Sequence, residues 1–150
     1  EKEDYLKVVK GISTNLRASM VTSDKSKDWW TEDLKQHYKE MWSWKGFQKK
    51  LEDANWRCFF TGFFFDWRLL LPYVTKIEGS GRKIRNVPHE LNIQYLSFDR
   101  INNDKPHYYD NVNVTLRGMN RWRNDAPIGV FCNSPLIALI RDTISRSDSL

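Results

Sequence analysis

Residues 96–125 hold an acid, a base and an amide that could do chemistry together. Asp99 and Arg100 are adjacent, and Asn120 follows after a loop and a second strand-like run. Carboxylate and amide oxygens can bind a hard cation, and a guanidinium can bind phosphate. The stretch is therefore a candidate site for phosphate chemistry, provided that the fold brings the three side chains together.

The pattern around these residues predicts the elements that would position them. Four elements follow in order: a strand over 93–98, a loop over 102–110, a strand over 112–116 and a helix over 117–124. Leu96 and Phe98 share one face of the first strand, and Asp99 stands at its end. Asn120 lies one turn into the helix. The two polar side chains converge if that helix packs across the hairpin.

Helices are predicted before this stretch. The apolar stripe of the first helix, over 4–20, is Tyr5, Val9, Ile12, Leu16 and Met20. Residues 21–28 are polar and predict a loop. A second helix begins near Thr31, a good N-cap, and Gly46 separates it from a third helix that ends near Asn55. Residues 1–55 are thus expected to be a helical N-terminal region.

Two segments connect this region to Asp99, and one helix follows the site. Residues 56–67, "WRCFFTGFFFDW", predict a strand, a Thr-Gly turn and another extended or buried run. Residues 77–86 are rich in glycine and basic side chains and predict a flexible loop. A C-terminal helix is expected over 134–147, burying Leu136, Ile137, Ile140 and Ile144. The fold class is therefore expected to be α+β, in a single domain over 1–150.

The composition favours a folded protein with a polyanionic partner. The chain has 150 residues, 40% of them apolar, which is enough for one core. Its net charge of +5 and pI of about 9.2 favour nucleic acid. No apolar run is long enough to span a membrane and no secretory leader opens the chain, so we expect no membrane contact and an intracellular location, cytoplasmic, nucleoid or nuclear. Because it begins at Glu1, we expect the natural protein to extend further.

The cysteines argue against a zinc ribbon. Cys58 and Cys132 are far apart and no C-x-x-C pair is present. A zinc ribbon needs more ligands at short spacing. We expect both thiols to be reduced, with Cys58 as a small buried apolar residue.

Four motifs in order carry a resemblance to a nuclease superfamily. They are Cys58 to Gly62 (C-F-F-T-G), Ser97 to Ile101 (S-F-D-R-I), His107-Tyr108 with Asn111, and Asn120 to Arg123 (N-R-W-R). They resemble the HNH, or ββα-metal, endonucleases, and in particular the phage-type and intron-type members that read C-x-x-T-G, S-x-D-R-I, G-Y-x-x-x-N and N-R-x-K. The resemblance covers residues 58–125. It implies a ββα-metal core flanked by N- and C-terminal helices.

The resemblance assigns a role to each matching residue. Asp99 matches the acid that binds the catalytic divalent metal, and Asn120 matches the residue that helps complete the metal site. Asn111 matches an asparagine that fixes the loop between the strands. The metal implied is Mg²⁺ or Mn²⁺, because the ligands would be a carboxylate, an amide oxygen, phosphate oxygens and water.

The chain departs from the pattern at the general base. Arg100 stands where the superfamily usually has histidine, and arginine cannot accept a proton. It could instead hold the scissile phosphate, and the Asp-Arg members share this change. Three ways to activate the nucleophile stay open: His107 as base, Tyr108 as nucleophile or relay, or metal-bound water without a protein base.

The expected function is a divalent-metal-dependent endonuclease that cleaves DNA, with a homing or phage enzyme as the type. RNA is the second choice of substrate, and a homodimer is one option. Side chains expected on the nucleic acid are Arg82, Lys83, Arg85, Arg117, Arg121 and Arg123. The alternative is a non-catalytic nucleic-acid-binding protein on a degenerate HNH scaffold, which the missing histidine and the basic surface favour. A purely structural alternative is that Asp99 and Arg100 form an ion pair at the end of a strand.

Overall fold

The computed structural model of the chain describes residues 1–79, 81–93 and 95–148. Over these residues the fold is α+β, with seven α-helices and two antiparallel sheets of two strands each. The helices are α1 (Lys2–Asp24), α2 (Glu32–Met41), α3 (Trp44–Asp53), α4 (His89–Ile93), α5 (Arg117–Arg123), α6 (Ile128–Cys132) and α7 (Pro135–Asp148). The strands are β1 (Val74–Ile77), β2 (Gly81–Ile84), β3 (Leu96–Arg100) and β4 (Val112–Leu116). Short 3₁₀ helices span Trp67–Tyr73 and Tyr109–Asn111.

The first helix is longer than its apolar stripe predicts. The loop expected over 21–28 is wrong for its first residues, because α1 continues to Asp24. Asp24 is fully buried, so the inward face of the helix extends one turn beyond Met20. Gly11 lies in the middle of α1, where a Cβ would come within 3.1 Å of Cδ1 of Ile84. The missing side chain lets β2 lie directly against the helix.

The next two helices differ from the prediction only at their boundary. Thr31 caps α2, and its hydroxyl accepts a hydrogen bond from the Leu34 N–H at 3.2 Å. Gly46 does not separate the helices, because α3 already begins at Trp44. A Cβ on Gly46 would stand 2.2 Å from the carbonyl oxygen of Met41. Glycine is therefore needed for the two helices to approach at this tight connection.

Two predictions for the middle of the chain are wrong. The strand expected at the start of residues 56–67 is absent, because the segment forms turns with one isolated bridge, between Arg57 and Phe64. The turn expected at Thr61-Gly62 is present, and Gly62 has a positive φ. The loop expected over 77–86 contains β2, which pairs with β1 in a hairpin. Ile84 is buried at its end, because α1 supplies an apolar surface for the hairpin. Ser80 of that predicted loop, Gln94 of the predicted strand and residues 149–150 of the predicted domain lie outside the described residues.

The strand–loop–strand–helix order around Asp99 is present. β3 pairs with β4 antiparallel, with Asp99 opposite Asn113 and Leu96 opposite Leu116. α5 follows β4 without a gap and packs on both strands. The first strand begins later than expected, at Leu96, because α4 runs to Ile93. The hairpin and α5 therefore form one unit that can hold side chains between sheet and helix.

An aromatic cluster supports the loop between β3 and β4 from behind. Trp42 is fully buried and stacks on Tyr109, with ring centroids 5.7 Å apart and an interplanar angle of 19°. Phe47 and Phe98 pack on the same indole. The Trp42 indole N–H donates a hydrogen bond to the backbone carbonyl of His107 at 2.6 Å. The helical N-terminal region thus determines where the loop lies.

The C-terminal helix is found where the sequence placed it, although its buried face is narrower. Of the four residues expected to be inside, Ile137 is buried, Ile140 and Ile144 are half-buried and Leu136 is 49% exposed. Leu136 is therefore wrongly predicted, because only one edge of α7 meets the domain. Cys58 is buried and both cysteines are free thiols. No helix within the described residues is long and apolar enough to span a membrane.

Leu51 and Leu139 provide a matched test of this core. Leu51 is fully buried in α3, and Leu139 is 61% exposed in α7. Leu51→Ala should lower the free energy of unfolding by about 2–5 kcal/mol, because it removes buried methyl groups and leaves a cavity. Leu139→Ala should change it by no more than about 0.5 kcal/mol. Urea unfolding measures both, and equal effects would contradict the described core.

Candidate functional site

A polar cavity of about 390 Å³ lies between the end of β3, the loop that follows it, and α5. We call it the Asp99 cavity. Asp99 and Asn120 both line it, so the structure brings the predicted pair to one place. The other lining residues are Ser23, Lys27, Phe98, Arg100, Asn103, His107, Arg121, Asn124 and Asp125. A second cavity of about 390 Å³ shares His107, Asn120 and Arg121 with it and extends along α1 towards Arg117.

Asn120 reaches the cavity from the first turn of α5. Its side-chain Nδ2 donates a hydrogen bond to Oγ of Ser97 at 2.9 Å. Ser97 and Asp99 alternate along β3 and so share the face that α5 covers. The amide oxygen of Asn120 accepts no hydrogen bond from any side chain or backbone group that the structure describes. That oxygen is available to a ligand in the cavity.

Asp99 is buried and bonded to Arg123. The carboxylate accepts a hydrogen bond from Arg123 Nε at 2.7 Å and another from Nη2 at 3.1 Å. Arg123 is 2% exposed, and it also donates to the backbone carbonyls of Arg100 and Ala126. The expected contact of Arg123 with phosphate is therefore corrected, because its guanidinium points inward and ties α5 to β3.

Burial also changes the titration of Asp99. It raises the pKa of this carboxyl above its ordinary value, since the charged form loses hydration, while the hydrogen bonds and charge of Arg123 act in the opposite direction. Arg100, and His107 when its ring is protonated, add weaker attractions of the same sign as Arg123. The carboxylate is thus held in place chiefly by Arg123.

His107 is held by a buried carboxylate that comes from the far end of α1. Its Nδ1 lies 2.6 Å from Oδ2 of Asp24, and both residues are almost completely buried. The Tyr38 hydroxyl donates to the same oxygen at 2.6 Å and accepts the backbone N–H of His107 at 2.8 Å. Burial and the adjacent Asp24 raise the pKa of Tyr38, so its hydroxyl keeps its proton.

The guanidinium of Arg100 lies beside Asp24 and is mostly shielded from solvent. Its Nη1 donates to the carbonyl of Asn103 at 3.0 Å and lies 3.5 Å from Oδ1 of Asp24. The guanidinium carbon lies 5.7 Å from the centre of the Trp29 ring. Only 10% of the Arg100 side chain is exposed, although it lines the Asp99 cavity. A phosphate in the cavity would therefore contact only the exposed edge of the Arg100 guanidinium.

The structure separates the two protein groups proposed to activate the nucleophile. His107 lines both cavities. Tyr108 is 39% exposed and lies outside the described lining of either cavity, with its ring 6.4 Å from that of His37. His107 is therefore the better placed of the two.

Asn111 bridges the two ends of the loop that carries His107. Its side-chain oxygen accepts the Asn102 N–H at 3.0 Å. Its Nδ2 donates to the carbonyl oxygens of Asn102, Lys105 and Pro106. These bonds to the backbone are the kind of contact expected of Asn111 from the sequence.

Two cations line the Asp99 cavity without a partner. Lys27 and Arg121 make no ion pair or side-chain hydrogen bond with the residues that the structure describes, and both lie at the cavity wall. Arg117 lines the second cavity and stacks on the Tyr95 ring at 5.1 Å. The expected hairpin contacts, Arg82, Lys83 and Arg85, lie on or next to β2 and line neither cavity.

The donor atoms at the cavity fit a hard cation that has few protein ligands. Asp99 and Asn120 supply oxygen, and a carboxylate has lone pairs beyond the two that Arg123 occupies. Within the described residues no group of three or more His, Cys, Asp or Glu side chains could hold a metal. Because Arg123 neutralises Asp99, a cation would bind weakly until an anionic substrate adds further oxygen ligands.

Comparison of the chain with known protein families, with curated proteins and with solved structures finds no match. The geometry of the site is therefore the basis on which we infer its chemistry.

Sequence patterns gave no role to Asp24 and no hydrogen-bonding role to Tyr38, and they made Lys27 only a weaker candidate for a phosphate contact. A signal for Asp24 was present, because it continues the four-residue step from Leu16 through Met20. A polar residue on the apolar stripe of a helix is a candidate for a buried bonded group. Tyr38 belongs to the apolar stripe of α2, and nothing in its spacing shows the hydrogen bonds of its hydroxyl.

The Asp99–Arg123 pair can be tested by a double-mutant cycle. Arg123→Met should lower the free energy of unfolding by about 3–5 kcal/mol, because it leaves a buried carboxylate without a cation. Asp99→Leu combined with Arg123→Met should recover much of that loss, since no buried charge remains. Arg146→Met, which breaks the exposed pair with Asp142, is the control and should have a far smaller effect. If the losses of unfolding free energy in Asp99→Leu and Arg123→Met simply added in the double variant, the pairing would be contradicted.

Proposed function

We propose that the chain is a divalent-metal-dependent endonuclease that hydrolyses phosphodiester bonds in DNA, on an HNH-like ββα-metal core. One observation carries the proposal: a single cavity collects Asp99, Asn120 and His107 beside the unpartnered cations Lys27 and Arg121. Oxygen ligands, a base and phosphate-binding cations are the groups that metal-assisted phosphodiester hydrolysis needs. The order of β3, β4 and α5 supports the same reading.

Each side chain has a role that follows from its position. Asp99 and Asn120 would hold Mg²⁺ or Mn²⁺, and the ion, when bound, would acidify water and neutralise charge on the phosphate. His107 accepts the proton of the attacking water through its free ring nitrogen. Lys27 and Arg121 hold phosphate oxygens at the cavity wall, and Arg100 adds positive charge from the side of Asp24.

A second function is favoured by a different observation. Arg123 occupies both carboxylate oxygens of Asp99, so the pair carries no net charge towards the cavity. A protein that binds nucleic acid without cutting it would need only the cations of this surface. The rival is therefore a non-catalytic nucleic-acid-binding protein on the same scaffold.

Nicking of supercoiled plasmid distinguishes the two functions. With Mg²⁺ or Mn²⁺ the unmodified chain should convert supercoiled plasmid to open circles, and Asp99→Ala should abolish this. His107→Ala should slow the reaction by about 10²- to 10⁴-fold, the usual contribution of a general base. Tyr108→Phe, which lies off the cavity, should retain the rate.

The controls are chosen to match the variants. His89→Ala replaces an exposed histidine of α4, and Asp142→Ala an exposed aspartate of α7. Both should nick at the unmodified rate. Binding without cleavage of supercoiled, linear or single-stranded DNA or of RNA, with either metal, would support the rival. Cleavage that is unchanged in Asp99→Ala would contradict the assigned site.

The phosphate contacts make a separate prediction about binding. Lys27→Gln and Arg121→Gln should each weaken DNA binding without regard to sequence, and each should lower the slope of log K against log salt by about 1. Fluorescence anisotropy in EDTA at several salt concentrations measures this apart from cleavage. Lys76→Gln in β1 is the matched control, because Lys76 is exposed and lines neither cavity. If neither variant changed the salt dependence of binding, Lys27 and Arg121 would not be contacts to the DNA phosphates.

A further inference from the structure

The buried carboxylate of Asp24 dictates where the proton of the His107 ring resides. Asp24 is 0% exposed, and its Oδ2 is 2.6 Å from Nδ1 of His107. The guanidinium of Arg100, the His107 ring and the neutral hydroxyl of Tyr38 face this carboxylate. An ionised carboxylate accepts hydrogen bonds and donates none. With Asp24 ionised, the proton of this hydrogen bond belongs to Nδ1 of His107.

The other ring nitrogen is then an acceptor. A neutral imidazole with its proton on Nδ1 has a lone pair on Nε2. Nε2 makes no hydrogen bond to any described residue, and His107 lines both polar cavities. The lone pair is thus available to a molecule in the cavity.

We propose that Asp24 is a positioning residue that holds His107 in the Nδ1–H tautomer, with Nε2 as the proton acceptor of the reaction. The catalytic part of this statement rests on the proposed nuclease function; the tautomer does not. Asp24 belongs to α1, outside the strand–loop–strand–helix unit that carries the other site residues.

The step that this arrangement serves can be written with its atoms balanced. The oxygen of a water molecule bonds to phosphorus while one of its protons moves to Nε2. The bond from phosphorus to the leaving oxygen breaks, and its electron pair stays on that oxygen, which takes a proton from solvent. The resulting imidazolium is stabilised by the Asp24 carboxylate and then returns its proton to solvent.

Tyr38 fixes the direction of the same hydrogen bonds. Its hydroxyl donates to Asp24, and its oxygen accepts the backbone N–H of His107. One side chain therefore orients the carboxylate and anchors the main chain of the residue that the carboxylate serves.

Arg100 makes the Asp24→Asn variant informative. Arg100 Nη1 lies 3.5 Å from Oδ1 of Asp24, so an amide would turn its oxygen towards this cation and its NH₂ towards His107. The NH₂ would donate to Nδ1, and the ring proton would have to move to Nε2. Asp24→Asn should therefore invert the tautomer while almost preserving side-chain volume.

The experiment is nuclear magnetic resonance of the ¹⁵N-labelled full chain. Long-range ¹H–¹⁵N correlations of the three histidines, at a pH where the rings are neutral, report which ring nitrogen is protonated. His107→Ala assigns the signal. We expect Nδ1–H in the unmodified chain and Nε2–H in Asp24→Asn, with the nicking rate of that variant lowered about 10²- to 10⁴-fold and its KM for DNA little changed. Asp142→Asn, an exposed control, should leave the His107 signals unchanged.

The outcomes distinguish the positioning role of Asp24 from the proposed nuclease function. An Nε2–H ring in the unmodified chain, or an Nδ1–H ring retained in folded Asp24→Asn, overturns the positioning role even if the chain cuts DNA. An inverted tautomer in a chain that cuts no nucleic acid keeps the positioning role and rejects the nuclease.

Tyr38→Phe keeps the test decisive if Asp24→Asn does not fold. This variant retains the carboxylate and should keep the Nδ1–H tautomer. It removes the acceptor of the His107 backbone N–H, so hydrogen exchange of that amide should accelerate. A change of tautomer in Tyr38→Phe, or no change in exchange, would contradict the network.

Discussion

The buried charge of Asp24 is the constraint on which the arrangement of this protein depends. A carboxylate with no exposure to water is strongly unfavourable unless donors surround it. Here Tyr38 from α2 and His107 from the loop after β3 lie at hydrogen-bond distance from one oxygen of the carboxylate. The other oxygen has no hydrogen-bond partner among the described residues, but the guanidinium of Arg100, at the end of β3, lies 3.5 Å from it. α1, α2 and the hairpin must therefore assemble together.

A second buried acid fixes the opposite wall of the cavity. Arg123 reaches from the end of α5 to Asp99 and to the carbonyl of Arg100. If α5 separated from β3, either Asp99 or Arg123 would stay buried without a partner of opposite charge. The same pairing reduces the net negative charge of Asp99, so the interaction that holds α5 on β3 would also limit the affinity of the cavity for the proposed cation.

The apolar core and the polar network are joined at one point, the main chain of His107. The indole of Trp42 binds its carbonyl and the hydroxyl of Tyr38 binds its N–H. A histidine on a long loop would otherwise sample many positions, at a cost in entropy for any reaction that needs one of them. Anchoring both backbone groups to buried aromatic side chains removes that freedom.

The sequence alone predicted the order of strand, loop, strand and helix around Asp99, and it indicated that Asp99 and Asn120 could face one region. Alternation over 96–100 and 112–116, a loop rich in Asn and Pro, and a helix stopped before Pro127 depend on short-range preferences that a linear pattern shows. The β1–β2 hairpin and the last turn of α1 depend on contacts between distant segments, and the sequence did not reveal them. Tertiary structure alone decided that Asp24 lies beside His107, 83 positions away, and that Arg123 turns inward. A buried charge needs a partner of opposite charge or a hydrogen-bond donor. Which charges are buried is decided when the core assembles, so the sequence pattern gives little indication of these pairs.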